Sequence, residues 1–275
     1  NSYLQVGLGT NTWHSVGVNA YNGTNKGPVA YPAKAVYTLA NPPLANVPSA
    51  FTDVTTGSIR LQWQSNGNPA DTAYYTAMSI TSDLTEAADA YIFQVTGTST
   101  TVTSLKPNTL YYAGVSARNG DGVATSTAIF GSEYTLAQAP PYPPGLTATS
   151  RSMSGISLGW GGGDNPADTI YEVRGSTTLS DLSTTTPKNL ITYVPFARYH
   201  TANSVGISGL LTSTSYYFDV AAYIRTSSKP PGPTGREQTN VAVLTLPGPG
   251  GAPPGSVGGT SSAGRDSTIS GILPN

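Results

Sequence analysis

The sequence predicts an all-β chain of tandem seven-stranded β-sandwiches, and three observations lead there. The composition is that of strands and turns. Of 275 residues only 10% are charged, Ser and Thr make up a quarter, and there are 31 Gly, 22 Pro and 17 Tyr. A five-residue string recurs, Asn68-Pro69-Ala70-Asp71-Thr72 returning 97 residues on as Asn165-Pro166-Ala167-Asp168-Thr169. Short segments alternate apolar and polar, which puts one face of a strand in a core and the other in water.

The same offset runs through most of the chain. Ile59, Leu61 and Trp63 fall on Ile156, Leu158 and Trp160. Backwards by 97, Asn108-Thr109 falls on Asn11-Thr12, Gly114-Val115 on Gly17-Val18, and Asn119-Gly120 on Asn22-Gly23. Tyr134-Thr135-Leu136-Ala137 falls on Tyr37-Thr38-Leu39-Ala40. A fixed period of this kind marks a repeat architecture. Within a unit, Ser58 to Trp63 and Tyr112 to Ala117 alternate with period two, and clusters of Gly, Pro, Asn and Asp separate the strands. Leu84 to Ala90 is the one stretch with a turn of helical pattern. A unit of about 97 residues has the size of a seven-stranded sandwich.

These residues resemble tandem fibronectin type III modules, which share the immunoglobulin-like sandwich. The family's entry segment is similar to Pro143-Pro144-Gly145-Leu146-Thr147-Ala148, with a second strand ending at Trp160. Its tyrosine-corner pattern is matched by Leu105, Pro107, Thr109 and Tyr111, and by Leu210, Thr214 and Tyr216 with Thr212 in the place of Pro. In the first unit Leu8 and Thr12 match, and His14 stands in place of the Tyr. The turn after the Trp is similar to that of modules in large bacterial surface proteins. The resemblance covers about residues 1–247 and implies a core on Trp63, Trp160, Tyr111, Tyr216, Leu105 and Leu210. The two indoles each bury about 150–250 Å² when enclosed between sheets.

The repeat divides the chain into residues 1–42, 43–138, 139–247 and a Pro/Gly/Ser-rich tail, 248–275. By the offset, residues 1–42 supply only strands E, F and G of a module. Such a half-sandwich has no opposing face and leaves open edges. The tail holds Thr268, Ile269, Ile272 and Leu273 as its sustained strand-like content. Two readings stand side by side. In one, the chain is a window on a longer tandem array, its linkers 42–48 and 139–144 stiffened by proline. In the other, the tail of one copy is a donor strand for the open half-module of the next, and a contact that does not close builds a filament.

Chemistry finds little footing. Cysteine is absent, so disulfides and thiolate sites are excluded. The two histidines, His14 and His200, are isolated, with His14 expected packed or locally bonded and His200 facing solvent. Asp71 and Asp168 are expected to set the repeated turn; calcium, with Asp164 in the third unit, is the functional alternative, without the Asp-rich ligand spacing of a calcium loop. Asn119-Gly120-Asp121-Gly122 is expected as a turn between strands F and G, or as an exposed recognition loop. Gly161-Gly162-Gly163 is no phosphate loop, since no Lys-Ser/Thr follows. Gly264-Arg265-Asp266 has the wrong order for an integrin motif, and Asn22-Gly23-Thr24 is the sole glycosylation acceptor.

The expected protein has no catalytic residue, cofactor or metal. It is an extracellular structural rod of a bacterial surface whose partners are copies of itself or neighbouring modules, with a filament subunit as one form of it. Lys and Arg total 13 and do not cluster, so nucleic acid is excluded, and no apolar run is long enough to span a membrane. The alternative is a spacer or binding module of an adhesin or of a secreted polysaccharide-degrading enzyme. A glycan partner would call for aromatic side chains on one face, with Tyr74, Tyr75, Tyr193 and Tyr199 as candidates.

Overall fold

The computed structural model describes residues 2–32, 34–84, 91–140, 145–183, 186–224, 235–238 and 243–248, with 235–238 described by backbone alone. Thr268, Ile269, Ile272, Leu273 and the rest of the tail from 249 lie outside the described residues, as do 85–90 of the expected helical turn and 141–144 of the second linker.

The first unit holds four two-residue strands, β1 (Trp13–His14), β2 (Tyr21–Asn22), β3 (Asn25–Lys26) and β4 (Val36–Tyr37). β1 pairs antiparallel with β4, Trp13 opposite Tyr37, and β2 with β3. This is a strand F–G ribbon; the expected strand E is not formed, since residues 2–8 are not in a strand. One unit on, strand E forms by bonding to strand B, with Ser99 to Val102 opposite Gln62 to Ile59.

The second unit contains β5 (Leu44–Ala45), β6 (Phe51–Thr52), β7 (Ile59–Gln64), β8 (Ala73–Ser79), β9 (Tyr91–Thr96), β10 (Ser99–Val102), β11 (Leu110–Arg118) and β12 (Ala128–Tyr134). They form two antiparallel sheets, β10-β7-β5 with β6 also on β7, and β12-β11-β8-β9. Alternation does the sorting. Ile59, Leu61 and Trp63 face inward from β7 while Arg60 and Gln62 face out. Tyr111, Ala113, Val115 and Ala117 meet them from β11 and share one core cluster. Trp63 sits edge-on to Tyr74, ring centroids 5.5 Å apart.

The third unit repeats the plan with β13 (Thr147–Arg151), β14 (Gly155–Gly159), β15 (Ile170–Ser176), β16 (Ile191–Val194), β17 (Ser204–Ser208), β18 (Ser215–Tyr223), β19 (Gly235–Gln238) and β20 (Val243–Leu244). Its sheets are β13-β14-β17 and β16-β15-β18-β19, with β20 also on β18. Trp160 meets Tyr171 edge-on at 5.4 Å, the pair 97 residues on from Trp63 and Tyr74. Leu105 and Leu210 are buried, and the hydroxyls of Tyr111 and Tyr216 accept the backbone N–H of Lys106 at 3.0 Å and of Leu211 at 2.9 Å. His14, at the equivalent position, instead bonds locally, its Nε2 2.7 Å from Thr12 Oγ1.

Candidate functional site at the module joints

The five residues of the repeated turn stand where one unit meets the next. Asn68 grips the linker with both ends of its amide. Its Oδ1 accepts the Asn41 N–H and its Nδ2 donates to the Asn41 carbonyl, each at 2.8 Å. Asn165 does the same to Gln138, again at 2.8 Å in both directions. The linker side chains answer: Asn41 Nδ2 donates to the Asn66 carbonyl at 2.9 Å, and Gln138 Oε1 accepts the Asp164 N–H at 3.3 Å.

The last residue of the turn receives a hook from the preceding unit. Asn11 Nδ2 donates to Thr72 Oγ1 at 2.8 Å, and Asn108 Nδ2 to Thr169 Oγ1 at 2.6 Å. All four side chains are buried. Both hook asparagines have a φ of 47°, the left-handed region that Asn tolerates better than other residues with a Cβ. Each is held there by its own backbone, Asn11 N–H to the Leu39 carbonyl and Asn108 N–H to the Leu136 carbonyl, both at 3.1 Å. A buried amide without a partner costs about 1–3 kcal/mol, so the hook depends on its acceptor.

Asp71 and Asp168 are exposed, and the turn is closed by Thr72 N–H to Pro69 O and Thr169 N–H to Pro166 O.

The Asn119-Gly120-Asp121-Gly122 loop lies between β11 and β12 and clasps the first unit, so it is not a free recognition loop. Gly120 N–H donates to Asn11 Oδ1 at 2.9 Å and Asn119 Nδ2 to the Thr38 carbonyl at 3.3 Å. Asp121 accepts the Tyr37 N–H at 2.7 Å and pairs with Lys34 at 3.2 Å. Gly120 is required by close approach, since a Cβ there would stand 2.4 Å from the Tyr37 ring. The Tyr37 N–H first, and Lys34 beside it, hold the Asp121 carboxyl below its ordinary pKa. A depressed folded value stabilises above the ordinary carboxylate range and is lost as pH falls through the folded value. Acidification through that lower range, or Asp121→Asn at neutral pH, is therefore expected to free the first unit from the loop. Faster hydrogen exchange of the Tyr37 amide is the readout, and unchanged exchange in both cases would refute the clasp.

The remaining candidates do not converge on a site. His200 does not face solvent; it lies half-buried beside Trp160, ring centroids 6.2 Å apart, with Nε2 3.0 Å from the Ser204 carbonyl. Among the described residues no three of His, Asp and Glu stand together as a metal cluster. Tyr74 is buried, Tyr75 lies under the Arg118 guanidinium at 4.1 Å, and Tyr193 packs on Phe218, so of the four tyrosines only Tyr199 stands out. No helix of the described residues is long and apolar enough to cross a membrane.

Sequence reasoning saw the recurring Asn-Pro-Ala-Asp-Thr and Asn-Thr pairs but did not connect them. The available signal is that buried-type core residues are not alone in recurring at the fixed period; polar Asn and Thr recur with them.

Comparison with known proteins agrees with this architecture. Residues 43–131 match the fibronectin type III domain family. The chain is 28% identical over 178 residues to Chitinase A1 of Niallia circulans, a match covering 62% of this chain and 22% of that protein. A two-fibronectin type III domain segment from chicken tenascin aligns with a TM-score of 0.46 and 15% identity, covering 74% of this chain and 100% of that one. Residues 43–131 are thus a fibronectin type III module, and the unit that follows repeats the same two-sheet plan 97 residues on.

Proposed function

We propose that the chain is a non-catalytic structural rod of a secreted bacterial protein, its modules spacing other parts of that protein from a surface. The doubled joint carries this reading. Two sets of side chains, 97 residues apart, hold successive units in one fixed relation, which is what a spacer needs and a loosely strung array lacks. The likeness to a chitinase, confined to about a fifth of that protein, supports a role as an accessory module, with an adhesin as the other host of the same kind.

One observation favours a second reading. In the first unit Val16 and Val18 are 51% and 66% exposed, whereas Ala113 and Val115, 97 residues on, are fully buried. A core-facing row left in water calls for a cover. In this reading the tail 248–275 of another copy supplies it, and copies join head to tail.

Electron microscopy of the chain, with and without 248–275, tests both. Single extended particles in both cases fit the spacer, and filaments lost on deletion fit the second reading. Compact, variably bent particles would overturn the rod.

A further inference from the structure

The third unit keeps the backbone of the hook but not its side chain. Ser213 stands where Asn11 and Asn108 stand, with the same left-handed backbone, φ 50°. Its N–H donates to the Leu246 carbonyl at 3.3 Å, as Asn108 does to Leu136. The threonine clasp beside it is also kept. Thr214 N–H donates to Thr245 Oγ1 at 3.0 Å, and Thr109 N–H to Thr135 Oγ1 at 3.0 Å. Thr245 Oγ1 then donates to the Leu211 carbonyl at 2.7 Å, and Thr135 Oγ1 to that of Lys106 at 2.6 Å. Ser is not favoured at positive φ, so the conformation persists without the residue that suits it.

Ser also ends one heavy atom beyond Cβ, while Asn carries an amide two bonds out, with N–H groups aimed away from the unit. The linker half of the joint is missing as well. Gly248 follows Leu246-Pro247 where Asn41 follows Leu39-Ala40 and Gln138 follows Leu136-Ala137, so there is no amide to answer a following turn.

We propose that the left-handed Asn and the Thr closing the Asn-Pro-Ala-Asp-Thr turn are a docking code between consecutive modules, and that the third unit ends the coupled array. The partner this surface accepts is the end of another fibronectin type III module presenting Asn three residues before its corner aromatic. A module presenting Ser there is not taken. The code has a direction: the amide comes from the preceding unit and the hydroxyl from the following one. This rests on the spacer reading and adds to it which residues set the coupling and where it stops.

The test uses the full chain, which has no native cysteine. Thr101→Cys in β10 and Ser208→Cys in β17, both exposed, carry spin labels for pulsed dipolar distance measurement. The otherwise unaltered chain is expected to give one narrow distance. Asn108→Gly removes the hook without straining the positive φ, and Thr169→Val removes the acceptor at nearly constant volume. Each is expected to lose the narrow distance, and the double variant to be no broader than either single one. Ser213→Gly is expected to leave the distance unchanged. A narrow distance in Asn108→Gly would overturn the code while leaving the spacer intact. A broad distribution in the unaltered chain would overturn both. Broadening by Ser213→Gly would show that the third unit is not the end of the coupling. Circular dichroism of each variant confirms that the sandwiches are folded.

Discussion

Trp160→Ala is expected to destabilise the third unit by about 3–5 kcal/mol, the range for deleting a buried aromatic and leaving its cavity. That is a large share of the roughly 5–15 kcal/mol that holds a typical domain folded. Trp160 is 6% exposed and lies in the cluster with Leu158, Tyr171, Val220 and Ala222, drawn from both sheets. The core cannot collapse onto the gap without shifting β14 against β15, strands of opposite sheets whose Ile156, Leu158, Tyr171 and Val173 share the cluster. Trp63→Ala in the second unit is expected to match it, because the edge-on geometry with Tyr74 repeats that of Trp160 with Tyr171. Phe is expected to cost much less than Ala at either site. Among the described residues neither indole N–H has a hydrogen-bond partner, so Phe gives up volume but no bond. Denaturant unfolding of each variant reads the difference. Equal loss for Phe and Ala would mean that the ring does not fill the space between the sheets.

The fold was legible because its determinants are local and periodic. Ile59, Leu61 and Trp63 announce an inward face whatever lies across from them, and Tyr111 and Tyr216 mark the corner by their spacing from Leu105 and Leu210. The joint was only half legible. Asn11, Asn108, Thr72 and Thr169 were visible as repeats, but a bond between residues 61 positions apart leaves no local pattern. The first unit misled for the opposite reason. Residues 2–5 have the sequence offset of strand E, but a strand forms only when another strand bonds it. His200 was misplaced because nothing in Arg198-Tyr199-His200 shows that Trp160 lies alongside.

The outer face of the third unit was not legible at all. At the offset of 97 Arg174 falls on Ala77, and the residues opposite them across the sheet are Asp219 and Gly114. The second unit covers its small pair with Leu84, close enough that a Cβ on Gly114 would meet Leu84 Cδ1 at 2.9 Å. The third unit covers its large pair with the 3-10 turn Leu179–Leu182, whose Leu182 is buried and whose Asp181 accepts the Ser176 hydroxyl at 2.9 Å. The second unit thus holds a small apolar pair under its cover and the third an ionic pair under its own, and no pattern of alternation distinguishes the two.

That difference sets the second expected result. Arg174→Ala is expected to destabilise the third unit by about 3–5 kcal/mol, because it takes from the buried Asp219 carboxylate the guanidinium that pairs with both its oxygens. The Asp219 side chain is 0% exposed and that of Arg174 is 16% exposed. Arg174 Nε donates to Asp219 Oδ1 at 3.0 Å, and Nη2 donates to both Oδ2 and, at 3.3 Å, the Leu182 carbonyl. Desolvation alone would lower the guanidinium pKa; the bond and charge of Asp219 outweigh it and raise it. The pair is therefore well made, yet its net worth is the small difference between desolvation and attraction, so removing both partners should hurt less than removing one. Arg174→Ala with Asp219→Gly restores the pair that the second unit already uses. The double variant is expected to be more stable than Arg174→Ala alone, with a coupling of about 0.5–3 kcal/mol from the four-way cycle. Denaturant midpoints at constant slope supply the four free energies. Additive losses would mean that Asp219 finds adequate partners without Arg174, and that the lid over this face, rather than the ion pair, holds it closed.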